Sequence, residues 1–217
     1  MKISILCSDS AHPIYPYLVE WARCQGGGHQ VDIAARKAEL AGGDILFLIS
    51  CHELIREDIR SLYKATLVIH ASDLPLGRGW SPHIWQVLEK KQLIKVTLLE
   101  AADALDSGAI WAQDEFRLEG HETFDEINTA LFAAELRLMD FAVKGFETVK
   151  PRPQDSRQST SYPKRAPEDS RIDPLQSIAG QFDLLRVADP VRFPAFFELH
   201  GHRYLIQISK DKKHAEE

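Results

Sequence analysis

The sequence lacks paired cysteines. Three Cys, at positions 7, 24 and 51, stand in 217 residues, and none forms a C-x-x-C pair. A sparse, odd count argues against a disulfide scaffold and predicts reduced thiols, as in a cytoplasm. Long hydrophobic runs are missing too. No stretch approaches the roughly 20 residues a membrane-crossing helix needs. The short run in MKISILCSDS predicts no secretory leader. Positive charge is not in excess: 26 Lys+Arg face 32 Asp+Glu, for a net charge of −6. With no basic stretch wide enough to cover a face, a nucleic-acid partner is not expected. Gly26-Gly27-Gly28 fits neither G-x-x-x-x-G-K-[ST] nor dinucleotide-fingerprint spacing, so it reads as a turn. No internal repeat is present. The composition is otherwise that of an ordinary globular protein, 44% hydrophobic and 27% charged. It is long enough for one medium domain, or one domain with a small appendage.

The pattern along the first ~150 residues alternates between strand and helix signals. Lys2–Cys7 reads as a buried strand. Tyr15–Gln25 reads as a helix, with Leu18, Trp21 and Ala22 on one face, and Gly26–Ala35 as a turn into a second strand. Asp44–Cys51 is apolar on both faces, as a central strand should be. His52–Ala65 predicts a short amphipathic helix, Thr66–Ser72 a strand, and Ile94–Ala101 another. Ser81–Lys91 fits a helix with Ser81 as N-cap and Pro82 at the first position. Glu122–Val149 is a long amphipathic helix, with Gly145 as a point of interruption and a Thr123/Glu126 capping box at its start. Such alternation predicts an α/β fold with a Rossmann-like, mostly parallel sheet and helices on both faces.

Composition shifts after Val149. Residues 150–173 are rich in Pro, Ser, Arg and Asp, which predicts a linker or a surface arm. Residues 174–217 predict a small C-terminal extension: a helix over Pro174–Asp189, a hairpin turning near His200-Gly201-His202, and a frayed tail from Asp211. The expected division is therefore 1–149, 150–173 and 174–217.

In open α/β sheets ligands sit at the carboxyl ends of strands. Three such ends carry polar groups here: Cys51-His52, His70-Ala71-Ser72, and the segment with Asp103, Asp106, Ser107 and Gly108. Asp106 comes 36 positions after His70, about one helix-plus-strand unit, so the two can meet across one crevice. A histidine beside a carboxylate can shuttle protons near neutral pH. A strand-end histidine bonded only to a backbone carbonyl is the competing reading, and spacing alone leaves both open.

HASDLPLGRGWSPHIW resembles the H-x-S-x-L-P-x-x-R-G signature of the folate-dependent formyltransferases. VTLLEAADALDSGAIW is similar to that family's second signature, V-T-L followed by an acidic loop and D-[TS]-G-x-I. The likeness spans residues 1–149 in outline and is sharp between Val68 and Trp111. It implies catalytic roles for His70 and Asp106, with 10-formyltetrahydrofolate as formyl donor. An amine attacks the formyl carbonyl. His70 would support the developing oxyanion, and Asp106 would take the amine proton and orient His70. The resemblance further implies a folate site along Leu99, Glu100, Ala101, Ala102 and Asp103, walled by Leu74, Pro75, Arg78 and Gly79. One departure stands out: the family carries Asn two residues before the histidine, where this chain has Val68. Valine donates no hydrogen bond, so His52 or Ser50 on the neighbouring strand end is the expected substitute.

The segment FDLLRVADPVRFPAFFELHGHRYLIQI is similar to the tails of sugar N-formyltransferases. With the acidic charge and the chain's length, it favours a small amino-sugar acceptor, nucleotide-linked, over initiator tRNA. Hydrolysis of the formyl donor, or a folate-binding module without catalysis, are the alternatives that Val68 keeps open. Other features carry less. His200 and His202 could ligate a metal, but no third ligand is in view, so none is expected. Cys51 and His52 point to opposite faces of a strand, which disfavours a nucleophile pair. Trp80, Trp85 and Trp111 could line an acceptor pocket or pack as core. The arginines of KRAPEDSRID read as solvated, with contact to an anionic substrate as the second reading. Exposed apolar residues of the hairpin predict a homodimer.

Overall fold

A computed structural model describes residues 1–211. The tail expected to fray therefore lies, from residue 212 on, outside the described residues. The chain runs β1 (Lys2–Leu6), α1 (Tyr15–Gln25), β2 (Gln30–Ala34), β3 (Gly43–Leu48), α2 (Glu57–Arg60), β4 (Tyr63–His70), β5 (Arg78–Gly79), α3 (Pro82–Leu88), β6 (Leu93–Glu100), β7 (Ile110–Arg117) and α4 (Phe124–Gly145). A segment of short 3-10 turns and the two-residue β8 (Ser161–Tyr162) comes next. The chain closes with α5 (Phe182–Arg186) and the antiparallel pair β9 (Ala195–Leu199) and β10 (His202–Ile206).

Six strands form one sheet in the order β2-β1-β3-β4-β6-β7. The first four are parallel, as their apolar runs predict. β6 runs antiparallel to β4, and β7 antiparallel to β6, so only β6 opposes the first four, a reversal that strand–helix alternation alone does not reveal. The reason lies in the connection between β4 and β6. His70 pairs with Thr97, so β6 begins beyond the carboxyl end of β4. The connecting chain is taken up by a loop and the seven-residue α3. That helix spans only about 10 Å, too short to return to the far end of the sheet.

One face of the sheet packs Ile3, Ile5, Phe47 and Leu67 against Leu18 and Trp21 of α1 and Leu131, Leu138 and Met139 of α4. Trp21 also donates to Asp140 across that layer (2.8 Å). The other face buries Leu6, Leu46 and Leu48 beneath Ile55 and Ile59, with α2 as its only helix among the described residues. Both faces thus carry helix, unequally. The helix expected over His52–Ala65 shrinks to Glu57–Arg60, because residues 51–56 form a loop and the chain is already strand from Tyr63. β7, which the sequence pattern does not mark, is the edge strand beside β6. Glu126 caps α4 as expected, accepting from the Thr123 backbone N–H (2.8 Å). Ser81 precedes Pro82 but is left-handed (φ 45) and makes no side-chain cap. At the hairpin tip His200 and Gly201 are both left-handed (φ 51 and 77), the pairing a tight two-residue turn requires. The helix expected over Pro174–Asp189 forms only at Phe182–Arg186, after a 3-10 turn.

Candidate active site

His70 ends β4 and is 7% exposed. Its strand end is fixed by three bonds: Ser72 N–H to the His70 carbonyl (2.8 Å), Gln86 Nε2 to the Ala71 carbonyl (2.6 Å) and Thr97 Oγ1 to the Ser72 carbonyl (2.6 Å). Imidazole Nε2 lies 2.8 Å from the Gly77 carbonyl oxygen. A carbonyl only accepts, so Nε2 carries the proton. Nδ1 then faces Asp106 Oδ2 at 3.7 Å, with both side chains under 10% exposed. One nitrogen thus holds a backbone carbonyl, and the other faces a carboxylate.

Asp106 reaches this position from the loop after β6. The β6–β7 register shifts between Leu98 and Leu99, a bulge of the kind that re-aims chain beside a site. Ala101 N–H then bonds the Thr66 carbonyl (2.8 Å), and Glu100 N–H bonds the Ala109 carbonyl (2.9 Å). Gly108 lies against the Glu100 carbonyl, where any Cβ would collide. Asp106 itself is left-handed (φ 52), a conformation Asp tolerates better than most residues. Its Oδ2 accepts from the Gly79 backbone N–H (2.9 Å).

The segment after α4 completes the site, a role its linker-like composition barely suggests. Gln154 donates from Nε2 to the carbonyls of Asp106 (2.9 Å) and Gly108 (2.7 Å), while its Oε1 accepts from Arg78 (2.8 Å). Thr160 Oγ1 accepts from Gly77 N–H (2.8 Å), and β8 pairs with β5. Gly79 (φ 102) sits so close to the Tyr162 carbonyl that no side chain fits. Residues 152–162 are thus a surface arm that clamps the His70 and Asp106 loops together. The Gln154 amide was the one available signal: a single amide offers two donors and an acceptor, enough to tie several groups together.

A cleft of about 420 Å³ opens beside Ala102 and Asp103, within the range of small-molecule sites. Leu54, Ile55, Arg56, Glu57 and Arg60 line one wall, and Ala102 and Asp103 the other. Arg60 bridges the walls to Asp103 (2.7 Å). Of the residues expected at the folate site, Ala102 and Asp103 line this cleft. Leu74 and Leu99 form an apolar cluster with Ile110 and Val68 beside it. Ala101 and Glu100 hold the loop, Glu100 by accepting from Trp111 Nε1 (3.0 Å). Leu74–Pro75 is a cis peptide on the His70 side. Arg78 is turned into the Gln154 clamp rather than lining the crevice, and Gly79 holds Asp106. The Leu54–Arg60 wall was missed because that stretch reads as helix.

His52 does not join this group. It is exposed on the loop after β3, with its backbone N–H on Ser8 Oγ (3.0 Å), and no hydrogen bond or ion pair joins it to His70 among the described residues. Ser50, the other expected substitute, is held left-handed (φ 49). Electrostatically His52 acts on His12, and His12 and His70 in turn act on His83. Burial, with the repulsion of His12 and His70, holds His83 down at about 4. Burial and the nearby Arg192 push His12 to about 4 as well.

Fold and site together define an α/β chain with a buried His–Asp pair at the carboxyl edge of a mixed sheet. No family model matches the sequence. A methionyl-tRNA formyltransferase of Acidobacterium capsulatum is 30% identical over 154 residues, 67% of this chain and 49% of that protein. One of Deinococcus radiodurans is 29% identical over 52% of this chain and 36% of that protein. The chain spans about a third to a half of the length of these curated relatives. Among solved structures, a methionyl-tRNA formyltransferase from Clostridium thermocellum superposes with a TM-score of 0.82 at 19% identity, over 99% of this chain and 95% of that one. HypX from Aquifex aeolicus, solved with tetrahydrofolic acid, gives 0.78 at 21%, over 96% of this chain and 37% of that one. A 4-N formyltransferase from Francisella tularensis gives 0.75 at 15%, over 97% and 98%. The sequence relatives support a folate-dependent formyltransferase family for this chain, and the solved neighbours, all below 25% identity, share the fold.

Proposed function

We propose that the chain transfers a formyl group from 10-formyltetrahydrofolate to the amine of an amino sugar. The His70 Nδ1–Asp106 Oδ2 approach at 3.7 Å carries the reading. In this reading the folate lies along Ala102 and Asp103 in the 420 Å³ cleft, with its formyl group reaching toward Asp106. The amine nitrogen attacks the formyl carbon and the carbon–N10 bond breaks. The amine proton passes to the Nδ1/Oδ2 pair and on to N10, so products are the formamide and tetrahydrofolate. Because Nε2–H is committed to Gly77, only a proton on Nδ1 can reach the carbonyl oxygen as charge develops there. Asp106 stabilises the imidazolium that carries it.

A small acceptor fits the net charge of −6 better than a polyanionic RNA does, and a neighbour from Shewanella named as a sugar N-formyltransferase shares the fold. In the same reading, residues 1–149 are the catalytic unit, 150–173 the arm that clamps it, and 174–217 an extension whose exposed Leu199, Tyr204 and Leu205 pair with a second copy. One alternative uses the same pair: His70 and Asp106 activate water in place of the amine, which makes the chain a formyl hydrolase. The donor incubated with and without a panel of nucleotide-linked amino sugars separates the two. A mass gain of one formyl group on an acceptor supports transfer; formate released equally with and without acceptor overturns it.

A further inference from the structure

Two cations, Lys164 and Arg165, follow closely on the clamp. Lys164 and Arg165 extend from a fixed stretch: Trp85 Nε1 donates to the Pro163 carbonyl (3.0 Å), and its indole stacks on Tyr162 (6.0 Å, 11° between planes). Lys164 Nζ then lies 4.8 Å from the centre of the Trp80 ring, and the Arg165 guanidinium 5.8 Å from that of Trp85. Trp80 is 45% exposed, so it forms a platform under a lysine rather than core. Arg165 Nη2 donates to the Asp169 carbonyl (2.7 Å). Its Nη1 is buried with no partner among the described residues. The Asp169 carboxylate is turned to the Ala166 N–H (2.6 Å). A buried guanidinium N–H without an acceptor is costly, and an oxygen that arrives with a ligand explains its retention.

Position adds to this. Arg165 acts electrostatically on His83, and so does His70. Arg165, which also feels the Asp169 carboxylate, therefore shares His83 with His70 as an electrostatic neighbour. We propose that Lys164 and Arg165, set over Trp80 and Trp85, form an anion subsite that takes a phosphate of the acceptor. The indoles give the acceptor's ring a flat face, and Arg165 Nη1 donates to a phosphate oxygen. Two cations suit a phosphomonoester or a diphosphate, not a long nucleic-acid backbone. The inference rests on the formyl-transfer reading for its substrate, an amino sugar bearing phosphate.

The test uses the full chain and two probes, UDP and inorganic phosphate, in calorimetry. UDP should bind the wild type, and about 10- to 100-fold more weakly Arg165→Ala, the loss expected of a charge-assisted hydrogen bond. Arg165→Lys should restore part of it. Phosphate should also raise the titration midpoint of His83 by NMR in the wild type and not in Arg165→Ala, since an anion favours the imidazolium. Tetrahydrofolate affinity, unchanged in all three chains, shows that the clamp remains folded. No binding of UDP or phosphate to the wild type, or equal binding to Arg165→Ala and Arg165→Lys, overturns the subsite. Arg165-dependent binding of tRNA without UDP binding overturns the small-acceptor assignment. Arg165-dependent UDP binding without tetrahydrofolate binding supports the subsite and overturns formyl transfer.

Discussion

A single proton decides what His70 can do. The Gly77 carbonyl fixes it on Nε2, so the face turned to Asp106 is a lone pair until Nδ1 is protonated. Asp106→Asn keeps the shape and the Gly79 N–H contact but cannot stabilise an imidazolium. We expect formyl transfer to fall by about 100-fold or more with tetrahydrofolate affinity retained; a loss below about threefold would remove Asp106 from the mechanism. Val68 is the opposite case. It shares the strand face of His70 two positions on, packed against Leu74, Leu99 and Ile110. Val68→Asn restores an amide donor at that point, and transfer should rise by about 10-fold or more. A rate that is unchanged or lower means that the carbonyl oxygen is already served by another group.

At the scale of elements, the site is a junction of two loops held by one segment. Gln154 alone supplies donors to two carbonyls of the Asp106 loop and an acceptor to Arg78. Gln154→Ala leaves those groups unpaired, which should cost about 1–3 kcal/mol of stability. The KM for the formyl donor should rise with it, measured beside urea unfolding; a stable variant with unchanged KM would show that the loop holds itself. The same segment marks where sequence reading stops. Strands β1, β3 and β4 announce themselves through apolar runs, and α4 through period and cap. His70 and Asp106 were legible because each lies in a local motif. The clamp was not legible, since its bonds join residues about 40 to 80 positions apart and its composition resembles a linker. The antiparallel turn of β6 was hidden for the same reason: direction is set by where the preceding loop ends, not by the strand's own residues.

At the scale of the molecule, three half-buried titratable groups set the response to pH. Burial pushes Glu135 up to about 8, and holds His12 and His83 down at about 4. The raised carboxyl contributes fully below its unfolded value of 4.5 and loses that contribution as pH climbs through 8. The lowered imidazoles contribute above their unfolded value of 6.5 and lose it as pH falls toward 4. Two histidines outweigh one glutamate on the acid side, and the glutamate acts alone above 6.5. The melting temperature should therefore peak near pH 6.5, with Glu135→Gln flattening the alkaline limb and His83→Gln part of the acid limb. A melting temperature that still climbs from about pH 6.5 to 8 contradicts this.

The most direct measurement tracks the carbon itself. A donor labelled with ¹³C at the formyl group, mixed with wild type and a phosphorylated amino sugar, should deliver its label to a new formamide in a single turnover. Asp106→Asn should leave the label on N10 over the same interval. Label appearing in the acceptor at equal rates with both chains, or only in formate, would contradict the account.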